Sequence, residues 1–291
     1  MQNKDAILAL IKLIDDPDEG VYTHVHDRLL SFGAEVIPFL ENSWEVEDYG
    51  LLFQERIENL IHEIQFESTK SELKDWIDSE EKDLLKGAIH VAKYQYPGLD
   101  EKAIYDEFDR IQRDVWLEVN DDLTALEKVR ILNKVIFGTY QFQGNTKNFH
   151  SPMNSYINVV LESKKGNPLS LSLVYSIIAQ RLGFPIFGVN LPNQFVLAYM
   201  DEDAIHHFIG KENKYGVLFY INPFSRGTIF DENEINDFLN KLKVPHNREF
   251  YEPCSNTAII KRMLTNLVAS FQQVGNAEKV EELVALRALF E

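Results

Sequence analysis

The sequence predicts a mostly helical α+β fold, and three observations predict it. Up to about residue 78 the apolar residues recur only at helical spacing. Three short β-rich runs, "IFGVNL", "QFVLAYM" and "VLFYINPF", are confined to residues 186–224 and follow a helical stretch instead of alternating with helices. The chain closes with two helical stripes separated by Gly275-Asn276. The expected organisation is an N-terminal helical bundle over 1–78, a core with a small antiparallel sheet over 79–245, and a C-terminal helical hairpin over 246–291.

In the bundle, Ala6, Ile7, Leu10, Ile11 and Ile14 mark a first helix that "DDPDEG" breaks. Val21, Val25, Leu29 and Leu30 mark a second, which Gly33 is placed to end before "AEVIPFLENSW" begins another. Leu52, Ile57, Leu60, Ile61 and Ile64 form the stripe of the next helix. The stretch "LIDDPDEGVYTHVHDRLLSFGAEVIPFLENSWE" resembles a HEAT-type unit, with at most one and a half units present. His24 and His26, two apart, fall on different helix faces and do not make a metal pair.

The charged segment "STKSELKDWIDSEEKD" marks the expected domain boundary. Beyond it come a helix around Leu84 to Tyr94, a Pro97-Gly98 turn, and a helix from Asp100 with Ile104, Phe108, Ile111 and Val115 inward. "TALEKVRILNKVIFGTYQF" is a further helix, with Thr124 as cap and Glu127 at the capping-box offset. "QGNTKNFHSPMNSY" reads as a loop, and "SRGTIFDENEINDFLNKL" starts a helix near Asp231. "TAIIKRMLTNLVASFQQV" and "AEKVEELVALRALF" together resemble a tetratricopeptide-type hairpin.

Composition narrows the function classes. The formal net charge of −17 repels phosphate backbones and anionic lipid, so nucleic acid is not an expected partner. No run reaches the roughly 18–20 apolar residues of a membrane span, and the N-terminus has no basic region ahead of an apolar one. The single cysteine, Cys254, excludes an intramolecular disulfide and a multi-cysteine metal site, and the cytoplasm fits this usage. His246, eight residues earlier, does not have metal-ligand spacing with it. No cofactor fingerprint occurs: "GKENKYG" is not a phosphate loop, and "GNPLS" is not a nucleophile elbow.

The informative stretch is "KKGNPLSLSLVYSIIAQRLGFPIFGVNLPNQFVLAY". A helix whose N-terminus carries polar residues, followed by strands that carry motif residues, is the layout of a papain-like thiol site. There a helix N-terminus favours a thiolate, a histidine on a following strand is its base, and an Asp or Asn on the next strand orients the ring. With "YINPFSRGTIFDENEINDFL", this stretch resembles the SirB1 family of transglutaminase-like proteins, whose pattern reads G-x-P-[IL]-S-L, then R-R-L-G-L-P, then G-V-x-L-P-x-H-F, then I-D-P-F. "WLEVNDDLTALEKVRILNKVIF", Asn154-Ser155-Tyr156 and the C-terminal hairpin extend the resemblance over roughly residues 80–290.

The resemblance implies a transglutaminase-like core in which the cysteine, histidine and acid positions fall on Pro168, Gln194 and Asn222. None of the three makes a competent triad. Proline has no nucleophilic atom, and glutamine does not titrate near neutral pH. Asn222 could orient a ring that is not there. Ser170 is the remaining hydroxyl and the possible nucleophile, with His206 or His207 as its possible base. The plainer reading is that Ser170 bonds backbone in the first helical turn, that Pro168 suits that turn, and that Gln194 satisfies a buried backbone group. Asn167, Ser170, Gln194 and Asn222 are the expected binding residues. Three functions stay open: a non-catalytic module that binds a protein or peptide, a hydrolase or acyltransferase using Ser170, and a cleft that binds a small molecule without reacting.

Overall fold

The first helical stripes close on one another. The computed structural model describes residues 2–44, 50–200 and 215–291. Helices α1 (Gln2–Ile11), α2 (Glu19–Leu30), α3 (Ile37–Trp44) and α4 (Leu51–Asp78) surround a core of Ile7, Ile11, Ile14, Val25, Leu29, Val36, Leu40, Phe53, Ile57, Leu60 and Ile64. Asp18 caps α2 by accepting from the backbone N–H groups of Gly20 and Val21. The buried Arg56 ties down the α1–α2 connection. Its guanidinium donates to the carbonyls of Ile14 (2.8 Å) and Asp16 (3.0 Å) and to Glu19 (2.8 Å), and it lies 3.9 Å from the centre of the Tyr22 ring. Two expected stripe residues are displaced: Val21 and Leu52 are exposed, and Phe53 takes the inward place expected of Leu52. Ala6 is exposed as well. Helix α4 is continuous through the charged stretch after residue 67.

By its internal contacts the chain divides into two units, one of residues 1–75 with 93–97 and one of residues 76–92 with 98–291. The second contains α5 (Leu84–Gln95) as far as Ala92, α6 (Glu101–Trp116) and α7 (Ala125–Asn133). Asp100 caps α6, and Ile104, Phe108, Ile111 and Val115 are all buried. Thr124 and Glu127 form the expected capping box on α7. The helix then widens into a π-helical segment over Lys134–Thr139, which its propensities do not distinguish from α-helix. Next come β1 (Gln143–Gly144), α8 (Ile157–Ser163) and β2 (Lys165–Gly166), with β1 and β2 paired in parallel.

Helix α9 (Pro168–Arg181) is buried from Leu169 through Ala179, which is why it lacks a clear polar face. Strands β3 (Ile186–Val189), β4 (Val196–Met200), β5 (Val217–Asn222) and β6 (Thr228–Phe230) form an antiparallel sheet in sequence order. Helix α9 packs on β3 and β4, while α10 (Glu232–Leu242) contributes Ile235 and Leu239 to a cluster with Val189, Val196, Ala198 and Tyr220. With both faces covered, the first four residues of β4 are buried, and its sequence is apolar throughout. β6 was hidden in the approach to α10: three residues after a left-handed Arg226-Gly227 turn are too few to show a period. Helices α11 (Asn256–Val274) and α12 (Ala277–Ala288) close the chain as a hairpin about Gly275, which is left-handed at φ +76°. The fold is α+β and predominantly helical. No described helix is long and apolar enough to cross a membrane.

Candidate functional site

The N-terminus of α9 is built by reciprocal capping. Asn167 accepts from the Ser170 N–H at 2.9 Å, and Ser170 Oγ accepts from the Asn167 N–H at 3.0 Å. Pro168 occupies the first turn, where its missing N–H is not needed. The preceding glycine is a packing requirement: a Cβ on Gly166 would sit 2.4 Å from Ser170 Oγ. The Asn154-Ser155 pair supports the cap from outside. Ser155 Oγ accepts from the Asn167 side chain at 3.0 Å, and the Asn154 amide donates to the carbonyls of Asn148 (2.7 Å) and Phe149 (3.0 Å).

The remaining motif residues have equally local reasons. In "GVNLPNQF", a Cβ on Gly188 would stand 2.6 Å from the Phe195 ring, so the glycine makes room for that ring on β3. Gln194 N–H closes a turn onto the Leu191 carbonyl, with Pro192 second and a left-handed Asn193 third. In "INPF", Phe224 lies over Gly144, where a Cβ would be 2.5 Å away, and meets Phe149 edge-on at 5.8 Å. Gly227 is left-handed and faces Asn133, whose amide donates to its carbonyl at 2.9 Å while its oxygen accepts from the fully buried Tyr175 hydroxyl at 3.1 Å.

A cavity of about 360 Å³ opens at the start of α9. Asn167, Pro168 and Leu169 form its floor, Asn193, Gln194 and Phe195 one side, and Phe149 and His150 another. Arg262, Asn266, Ala269, Ser270 and Gln273 of α11 form the remaining wall. Asn167, Pro168 and Gln194 are thus brought together. Ser170 lies beneath the floor, 4% exposed, and does not line the cavity. Its Oγ is engaged with the backbone N–H and carbonyl of Asn167, and no histidine is hydrogen-bonded to it among the described residues. Asn222 also stays outside the lining: its side chain accepts from the Ser225 N–H at 3.2 Å and caps the turn Pro223–Ser225. Gln194 is exposed, which corrects the expectation that it satisfies a buried backbone group. His206 and His207 lie outside the described residues.

Sequence reading missed the α11 wall and His150. The signal was present as Arg262, Asn266, Ser270 and Gln273, spaced as one stripe opposite the buried Ile260, Met263, Leu264, Leu267 and Val268. Arg262 is half-buried and loss of solvent pulls its pKa down. It donates to Asn190 Oδ1 and Asn266 Oδ1, each at 3.3 Å. Among the described residues no Asp or Glu lines the cavity. Among the described residues no group of three His, Cys, Asp or Glu side chains is placed to hold a metal. His246 instead bonds Asn236, Asn240 and Tyr251, and His26 bonds Glu63 at 2.9 Å. Among the described residues the arrangement presents hydrogen-bonding amides and one guanidinium, without an activated nucleophile.

Known proteins resemble this chain over the same region. A family model described as the transglutaminase-like superfamily matches residues 102–265. A UPF0162 protein of Xylella fastidiosa (strain 9a5c) is 27% identical over 198 residues, covering 66% of this chain and 66% of that protein's length. UPF0162 protein YchA of Escherichia coli (strain K12) is 24% identical over 194 residues, again 66% of each. F-box only protein 21 of Homo sapiens is 26% identical over 147 residues, 50% of this chain and 22% of that protein. No solved structure matches.

Proposed function

From the premise that the chain belongs to the transglutaminase-like superfamily, we propose that it is a non-catalytic, SirB1-type member that binds a protein or peptide segment at the start of α9 and acts as a cytoplasmic regulatory module. The observation that carries this reading is the state of Ser170: its hydroxyl is committed to the capping box and buried, with no base beside it among the described residues. Pro168 and Gln194, at the positions where the resemblance puts the cysteine and histidine, offer neither a nucleophile nor a proton acceptor. The cavity's amides suit a peptide backbone, which presents donors and acceptors in alternation. In this reading residues 1–78 are HEAT-like, 79–245 the transglutaminase-like core and 246–291 a tetratricopeptide-like hairpin that supplies one wall of the cleft. The matched region fills only 22% of the F-box relative, which supports its use as a module beside other segments.

Incubation of the purified chain with a fluorophosphonate and with activated ester substrates tests the absence of chemistry. No labelling and no turnover above buffer are expected. Labelling that disappears in Ser170→Ala would overturn the reading in favour of a serine hydrolase or acyltransferase. Panning a library of short peptides tests the binding half: peptides retained by the wild type should be released by Ser270→Trp, which fills the cleft. Equal retention by both would place binding elsewhere.

A further inference from the structure

We propose that the cavity takes a ligand carboxylate against Arg262, so that the bound segment is a peptide carrying an exposed carboxylate, chain-terminal or side-chain. This rests on reading the cleft as a binding site and specifies what it selects. Two amide oxygens at 3.3 Å are the hydrogen-bond partners of the Arg262 guanidinium, and no carboxylate of the described residues is in ion-pair reach of it. Withdrawing a cation from water without a counter-charge is costly, and a carboxylate brought to it offsets that cost. The walls are also a local inversion of the chain's character: in a protein with 46 acidic and 29 basic side chains, no acidic one among the described residues lines this cavity.

Size and charge narrow the class further. About 360 Å³ is near the lower end of ligand cavities, enough for a chain end or one side chain with its flanking amides. One guanidinium matches one carboxylate. A multiply charged phosphate would meet the field of a chain of net charge −17 with a single guanidinium among the described lining residues to offset it. Asn193, Gln194, Asn266 and Gln273 can donate to and accept from the peptide groups next to the carboxylate.

The test uses three pools of N-acetylated tripeptides, titrated into the full chain and followed by NMR. One pool has a free C-terminal carboxylate, one is amidated with no acidic residue, and one is amidated with a single internal Glu. The first or third pool, or both, should bind about 10-fold or more tighter than the second. Which of them does so identifies the source of the carboxylate. Arg262→Gln should erase the difference. Asn266→Asp should erase it too, because it sets a carboxylate where an amide oxygen already meets the guanidinium and leaves the shape unchanged. Thermal unfolding of both variants checks that they fold. Equal binding of all pools, unchanged discrimination in both variants, or tighter binding of inorganic phosphate would overturn the carboxylate assignment alone. Failure of every pool to bind would overturn it together with the cleft reading.

Discussion

Asn167 and Ser170 hold each other: each backbone N–H is bonded to the other's side-chain oxygen, at 3.0 and 2.9 Å. The hydroxyl in the position most suggestive of chemistry therefore maintains the start of α9.

Removing that hydroxyl should act on stability and not on function. Ser170→Ala leaves the Asn167 N–H with only its long 3.5 Å bond to the Asn154 carbonyl and is expected to cost about 1 kcal/mol by urea unfolding, with peptide binding unchanged. Gly166→Ala should cost more, because its Cβ would stand 2.4 Å from Ser170 Oγ. In the double variant that collision is gone, so its loss should fall short of the sum by about 0.5–3 kcal/mol.

Gly87 sets helix propensity against packing. It lies inside α5, where alanine would favour the helix by about 1 kcal/mol. A Cβ there would meet the Trp76 indole at 2.8 Å and Ile260 at 2.9 Å. The indole cannot swing away freely, since its N–H donates to the Asp83 carbonyl at 2.7 Å. Overpacking costs about 1–3 kcal/mol, so Gly87→Ala is expected to lower the melting temperature. An unchanged or raised value would show that the indole yields.

Glu107 predicts an acid limb. Burial alone would raise its carboxyl pKa, but Lys164 at 2.7 Å and Arg110 at 2.6 Å outweigh burial and hold it below the ordinary value. A lowered folded pKa gives stability that is present above about pH 4.3 and lost as pH falls through the folded value. Glu107→Gln should therefore lower the urea midpoint at pH 7, and the gap from wild type should narrow towards pH 3. A constant gap would mean that the carboxylate's charge contributes nothing.

Cys254 should be inert while the chain is folded. Burial pushes its thiol up to about 11, and the thiolate is the reacting form. At pH 8, iodoacetamide should label it about 100-fold more slowly than a free thiol, and at the free rate in urea. The same shift works against the fold in alkali. Between about pH 8.5 and 11 only the unfolded chain sheds the proton, so this group's contribution to stability declines across that window.

Much of the fold was legible because it rests on local rules. Thr124 with Glu127, Asp100 and Asp231 are caps recognisable from side-chain chemistry and offset alone. The inward Ile104, Phe108, Ile111 and Val115 follow from the 3.6-residue period. The misplacements are one-residue ambiguities, as between Leu52 and Phe53, where adjacent apolar residues differ by only about 100° around the helix and packing makes the choice. β6 and the β1–β2 pair were illegible because they are too short to carry a period.

The sequence by itself determined the first turn of α9, the order of the longer helices and of strands β3, β4 and β5, and the lack of a nucleophile and base at the positions the resemblance points to, since each is a property of residue type and spacing. Only the tertiary structure decided that Ser170 turns beneath the cavity floor, that Asn222 is occupied with its own turn, and that the polar stripe of α11 is a wall. A polar stripe on an amphipathic helix has the same sequence whether water or a cavity faces it. The difference is made by contacts between segments far apart in the chain, here Pro168, Gln194 and Arg262, which no local periodicity records.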